Sequence, residues 1–203
     1  MPEDLRTKLL ANTASSHLPQ GAFVRRDYDL TKYTLSKRQF TQVRSFLQVE
    51  VAITLGKIVL NNPQTQKLLT EQTKFRVVEL LHHLTNKEET VRHKAGMALA
   101  TFAYNNTSQQ YAIKNAGGIP LRSFEEFLVS ENELYQAHAA FQIIVLARVI
   151  DSDQVNLTAR GVELLVRLLS SEQHSTQILA ASLTASLGHT RAGVPAALIT
   201  AGM

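Results

Sequence analysis

The chain reads as an all-α protein, a stack of repeated helical units. Three observations predict it. A polar signature returns at a nearly fixed interval: Asn61-Asn62-Pro63-Gln64 recurs as Asn105-Asn106-Thr107-Ser108, 44 residues on. Ala116-Gly117-Gly118-Ile119 is echoed 43 residues later by Ala159-Arg160-Gly161-Val162, and after 42 more by Ala201-Gly202. Apolar residues between these marks keep the spacing of helices, and no Val/Ile/Thr alternation bounded by turns argues for strands.

Taken in order, residues 1–33 read as a loosely structured arm, with Asn12-Thr13-Ala14-Ser15-Ser16 and Pro19-Gln20-Gly21 and little apolar periodicity. The repeat domain spans 34–203, about three and a half to four units. Ser36-x-x-Gln39 resembles a capping box, and Phe40, Val43, Phe46, Leu47 and Val51 follow it at helical spacing. Val91, Ala95, Ala98, Leu99 and Phe102 form one apolar helical face. Ala95 and Leu99 correspond to Ala139 and Ile143, again 44 apart.

The third unit is the clearest. A short helix over Gln109 to Ala116 ends at Gly117-Gly118, which can take positive φ, and Pro120 suits the first turn of the next helix. Leu121, Phe124 and Leu128 mark that helix. After the polar loop 130–133, Ala139, Ile143, Ala147 and Ile150 mark a longer one. The fourth unit pairs Leu165, Leu168 and Leu169 with Leu179, Leu183 and Leu187, and Gly161 is expected to supply its turn. Each unit is therefore short helix, Gly turn, medium helix, polar loop, long helix.

The stretch from Asn105 to Leu121, an Asn-rich loop leading into a short helix and a Gly-Gly-Ile-Pro turn, resembles the start of an armadillo repeat. The likeness covers roughly residues 45–203 and is weaker in the first two units, where Gln72-Thr73-Lys74-Phe75 replaces the Gly turn. Gly117 to Glu126 and Leu187 to Pro195 are similar to a branch of that family that also carries ankyrin repeats. No Thr-Pro-Leu-His ankyrin signature occurs here. The resemblance implies a right-handed superhelical solenoid of three-helix repeats with its last repeat cut short, and a non-catalytic protein-interaction scaffold. Ala201-Gly202-Met203 stands where another repeat should open, which reads as a piece of a longer stack. A monomer is expected, with the uncapped last repeat as a route to self-association.

In the family the long third helices line a groove, and in members that bind extended peptides an Asn on each clamps the peptide backbone. The matching positions here are Lys57, Thr101 and Val145, and a fourth falls near Ala185 or Ser186. None is Asn, and the chain has no Trp. The groove face that the resemblance implies is Lys57, Arg92, Lys94, Thr101, His138, Gln142, Val145 and Arg148, mixed and mildly basic. It would serve an unidentified protein partner, through a helix or an acidic segment.

Charge offers the alternative. Residues 1–60 hold nine Lys+Arg against five Asp+Glu, which is the whole net charge of +4. Arg25, Arg26, Lys37, Arg38 and Arg44 form a basic region that could meet nucleic acid or an anionic membrane surface. Asp27 and Asp29 interrupt it, and two tyrosines are too few for a base-stacking platform, so a solvated helix face is the plainer reading.

Little supports catalysis or a cofactor. The absence of cysteine excludes disulfides and thiolate chemistry. His82, His83 and His93 lack the i, i+4 spacing of helical metal ligands, and His93 and His138, 45 apart, read as surface positions of the scaffold. Gly117-Gly118 lacks the spacing and lysine of a phosphate loop. Glu88-Glu89 and Glu125-Glu126 have no apolar pocket to raise a pKa. The first residues carry no signal-peptide run and no stretch approaches the ~20 apolar residues of a span, so an intracellular location is expected.

Overall fold

The computed structural model describes residues 37–60, 62–72, 76–190 and 193–202. The expected arm and its boundary with the repeats lie outside them. All regular structure among the described residues is helical, apart from one isolated bridge. The order is α1 (Lys37–Ile58), α2 (Pro63–Gln72), a 3₁₀ helix η1 (Val77–Thr85), α3 (Glu89–Ala103), α4 (Thr107–Asn115), α5 (Arg122–Leu128), α6 (Glu133–Leu146), α7 (Gln154–Leu168), α8 (His174–Leu187) and α9 (Gly193–Thr200). The recurring pattern of two short helices and a long one appears twice, as α2–η1–α3 and α4–α5–α6.

The Asn-Asn signature has a local cause. Asn62 Oδ1 accepts from Thr65 N at 3.0 Å, and Asn106 Oδ1 accepts from Gln109 N at 3.1 Å. In both units the second asparagine caps the short first helix and satisfies an orphan amide of its first turn. Four residues on, Gln66 and Gln110 each reach back to the closing carbonyl of the preceding long helix, at Val59 and Ala103. Asn106 also donates from its side chain to the buried Gln66 Oε1, tying one repeat to the next through a polar bond.

The Gly-Gly-Ile turn ends α4 as a Schellman motif. Gly118 N donates to Ile113 O at 3.0 Å and Gly117 N to Lys114 O at 3.1 Å. The next residue then pairs with the far end of the unit. Ile119 N donates to Val149 O at 2.9 Å and Asp151 N to Ile119 O at 3.0 Å. Gly118 has φ +71°, and a Cβ there would sit 2.8 Å from Val149 O. Gly118→Ala is therefore expected to cost about 2 kcal/mol, the left-handed penalty plus the displaced carbonyl. A urea titration would measure it.

The fourth unit departs from the expected pattern. Gly161 lies inside α7, which runs unbroken from Gln154 to Leu168 and replaces two short helices and their turn. Here glycine serves close packing. A Cβ at Gly161 would meet Ile144 Cγ1 at 2.6 Å and Ala140 O at 3.0 Å, so α7 crosses α6 almost backbone to backbone.

The core runs along the long helices. α3 packs on α1, η1 and α6, and α6 packs on α5, α7 and α8. Phe102, Phe124, Phe127, Ile143, Ile144 and Leu165 are fully buried between them.

Candidate functional site

The expected groove divides into residues that can meet a partner and residues that cannot. Lys57 and Arg148 are exposed. Arg92 is clasped: its guanidinium grips both oxygens of Glu126, at 2.6 and 2.7 Å, and donates to the carbonyls of Asn86 and Lys87. Lys94 pairs with Glu50 and sits 4.6 Å from the centre of the Phe46 ring. Both cations join one helix to another within the stack.

Thr101, Val145 and Gln142 are buried, the last completely, so they offer little or no surface. The cause lies in how α6 is surrounded. Tyr104, at the end of α3, donates its hydroxyl to Ser186 O on α8, and Asn105 Nδ2 donates to His189 O at 2.9 Å. The ends of α3 and α8 thus meet over the last turn of α6 and close the groove where Val145 was to line it. Beside that closure remains a cleft of about 300 Å³, in which Arg148, Asn105, Thr107, Gln110 and Thr190 surround Ile144, Val145 and Val194.

His93 is not a surface position, and His138 is half-buried. His93 is 7% exposed, stacked on Tyr135 at 4.3 Å and 5.1 Å from His138 between ring centres. Burial, reinforced by His138, lowers its pKa to about 4; burial and the Lys57 charge lower that of His138. The Nε2 of His93, the Nδ1 of His138 and the Oε1 of Gln142 are buried and make no hydrogen bond. His83 is buried too, and lowered to about 4 by burial and its neighbour His82. Among the described residues no group of three or more His, Cys, Asp or Glu side chains could hold a metal ion. No helix among them is long and apolar enough to cross a membrane.

Of the basic region, Arg25 and Arg26 lie outside the described residues. Lys37 and Arg38 begin α1, and Arg44 is exposed about two turns further on.

A different surface stands out on α1, which carries two apolar stripes. Val49, Ala52, Gly56 and Val59 are buried on the side that meets α3. Phe40, Val43, Leu47 and Val51 form the second stripe at i, i+3, i+7 and i+11, and remain 45–60% exposed. With Leu80 of η1 they floor a groove of about 420 Å³, rimmed by Arg44, Gln48, Arg76, Glu79 and His82. The repeat frame makes this exposure informative. Leu47 and Val51 correspond to Val91 and Ala95 on α3, which are 2% and 0% exposed. The spacing of Phe40, Val43, Leu47 and Val51 predicts a helix; the other stripe, at 49, 52, 56 and 59, is the signal in the sequence that this helix has two apolar faces.

No family model matches the chain. Over 157 residues, 77% of its length, it is 47% identical to the human ankyrin and armadillo repeat-containing protein and 41% identical to the mouse protein of that name. It spans 11% of the length of each of these curated relatives. Two crystal structures of engineered proteins, 27% and 24% identical, cover 78% and 76% of this chain and are covered over 63% of their own. Their TM-scores are 0.46 and 0.45, a likeness too loose to bear on the fold.

Proposed function

We infer that this chain, a helical-repeat segment related to the ankyrin and armadillo repeat-containing proteins, is a non-catalytic scaffold that docks another protein in the groove between α1 and η1. One observation carries the reading: α1 presents a second apolar stripe to solvent, and the counterparts of two of its residues, Leu47 and Val51, are buried on the next long helix. Contiguous exposed apolar surface rimmed by polar residues is characteristic of protein-binding sites. The floor is aliphatic and aromatic, and charges are confined to the rim, the arrangement in which a few buried anchors supply most of the affinity.

The buried state of Thr101, Gln142 and Val145 turns the reading away from the groove of the long third helices. Lys57 and Arg148 remain as polar surface, suited to a peripheral contact. Affinity capture with the full chain separates the two faces. The variant Leu47→Glu/Val51→Glu places two charges on the stripe, and Lys57→Glu/Arg148→Glu reverses the polar face. Circular dichroism confirms that each stays helical. Partners lost in the first variant and kept in the second are expected. Partners lost only in the second, or kept in both, would defeat the assignment.

A further inference from the structure

We propose that the occupant of the α1–η1 groove is a short amphipathic helix with acidic flanks. This rests on the reading of that groove as the docking face and adds what fits in it.

The first argument is internal to the repeat. On each of the two later long helices, the short helix that precedes it in the chain packs over it: η1 on α3 and α5 on α6. These coverings are nine and seven residues long, and each turns buried side chains inward: Val77, Leu80 and Leu84 from η1, Phe124, Phe127 and Leu128 from α5. Leu47 and Val51 on α1 correspond to Val91 and Ala95, buried on α3, the long helix that η1 packs against. The complement of the α1 stripe is a helix of two to three turns with an apolar stripe, a shape this molecule already builds twice.

The second argument concerns backbone polarity. An extended peptide laid on Phe40, Val43, Leu47, Val51 and Leu80 would bury its amides against hydrocarbon. Gln48 is the only side-chain amide among the described residues lining the groove, far short of a ladder of partners. A helix satisfies its own backbone and brings only side chains to the floor. The third argument is charge. Arg44 and Arg76 line the rim with the exposed His82, and Glu79 is the one carboxylate among the described lining residues. Acidic flanks complement that rim, and basic flanks are repelled.

Fluorescence anisotropy with labelled synthetic peptides and the full chain tests this. One probe has leucines at i, i+3, i+4 and i+7 flanked by glutamates. A second replaces the glutamates with lysines. A third scrambles the first so that its apolar stripe is lost. At low ionic strength the acidic helix is expected to bind about tenfold more tightly than the basic one, the sum of a few rim contacts. The scrambled peptide is expected not to bind. Leu47→Glu should abolish binding, and Arg44→Glu should erase the preference for acidic flanks.

Equal binding of acidic and basic helices, or binding that survives Leu47→Glu, would overturn the proposal. So would failure of every peptide to bind. Sedimentation showing a dimer that Leu47→Glu dissociates would also overturn it, by assigning the face to a second copy. The two readings fail separately. If capture depends on Leu47 and Val51 while the acidic helix does not bind, the docking face stands and its occupant is of another kind. If capture ignores those residues, the docking face itself is wrong.

Discussion

Gly161→Leu is expected to destabilise the repeat domain by about 3 kcal/mol or more, among the most damaging single changes available to it. The expectation rests on what a side chain would meet. The nearest atoms to an added Cβ belong to Ile144, at 2.6 and 2.9 Å, and to the backbone carbonyl of Ala140, at 3.0 Å. Ile144 is fully buried, and a shift of its side chain disturbs the packing around it. The carbonyl belongs to α6 and moves only if the helix moves. Room for leucine therefore requires α7 to lift away from α6, loosening the packing that buries Val162, Leu165 and Leu168. Gly161→Ala is the milder version, about 1–2 kcal/mol, because part of the clash is offset by the better helix propensity of alanine. Gly188→Ala is the control. Its Cβ would make only one contact, 3.4 Å from Ala185 O, and a change within about 0.5 kcal/mol is expected. Urea midpoints of the three variants decide the matter; equal midpoints for Gly161→Leu and Gly188→Ala would mean that α7 and α6 do not cross as described.

Acidification is expected to cost the fold a comparable amount, within a defined window. His93 has a pKa of about 4 in the folded chain, against an ordinary value of 6.5. Between these values the unfolded chain binds a proton that the folded chain refuses. Stability therefore falls as pH drops from about 6.5 to about 4, by up to ~1.4 kcal/mol per unit for each such group, and is unaffected by this group at higher pH. For His93 alone the window is worth roughly 3 kcal/mol. His138 and His83, lowered by burial as well, act in the same direction. His93→Phe keeps a ring between Phe127 and Tyr135 and removes the ionisable nitrogen. Denaturation at pH 7, 5.5 and 4 should show a shallower decline for that variant. Parallel declines would assign the acid sensitivity to other groups.

Much of the architecture was legible because local chemistry and repetition coincide. Asn62 and Asn106 mark helix starts, since an asparagine at the N-cap position accepts from an amide of the first turn. Gly117-Gly118 mark a helix end, since positive φ is needed there. Gly161 looked like the same signal and was not. A glycine that frees a turn and one that admits a neighbouring helix are written with the same letter, and only the packing partner separates them. The repeat of Ser130 and Gln136 at Ser171 and Gln177 was missed for a related reason. In both loops the glutamine amide donates to the serine carbonyl, but the interval is 41 and the flanking residues differ.

The binding face was less legible than the fold. Helical spacing says which residues share a side, not how many neighbours a helix has. Gln142 and Val145 fell on a side assigned to solvent. That side is covered because α6 is central and α3 and α8 meet above it. His93 also reads as a surface position in the repeat frame, but Phe127 and Tyr135 hold its ring inside, and His138 beside it is half-buried.

That meeting of α3 and α8 makes the stack more than a row of adjacent pairs. In a simple solenoid the energy is a sum over nearest neighbours, and an end unit can fray without informing the unit two places away. Tyr104 and Asn105 span that distance, and the groups that receive their bonds are main-chain carbonyls, Ser186 O and His189 O. The tie therefore makes no demand on the side chains at 186 and 189. The burden of keeping it falls on one end, so drift of sequence is free at the acceptors and restricted at the donors.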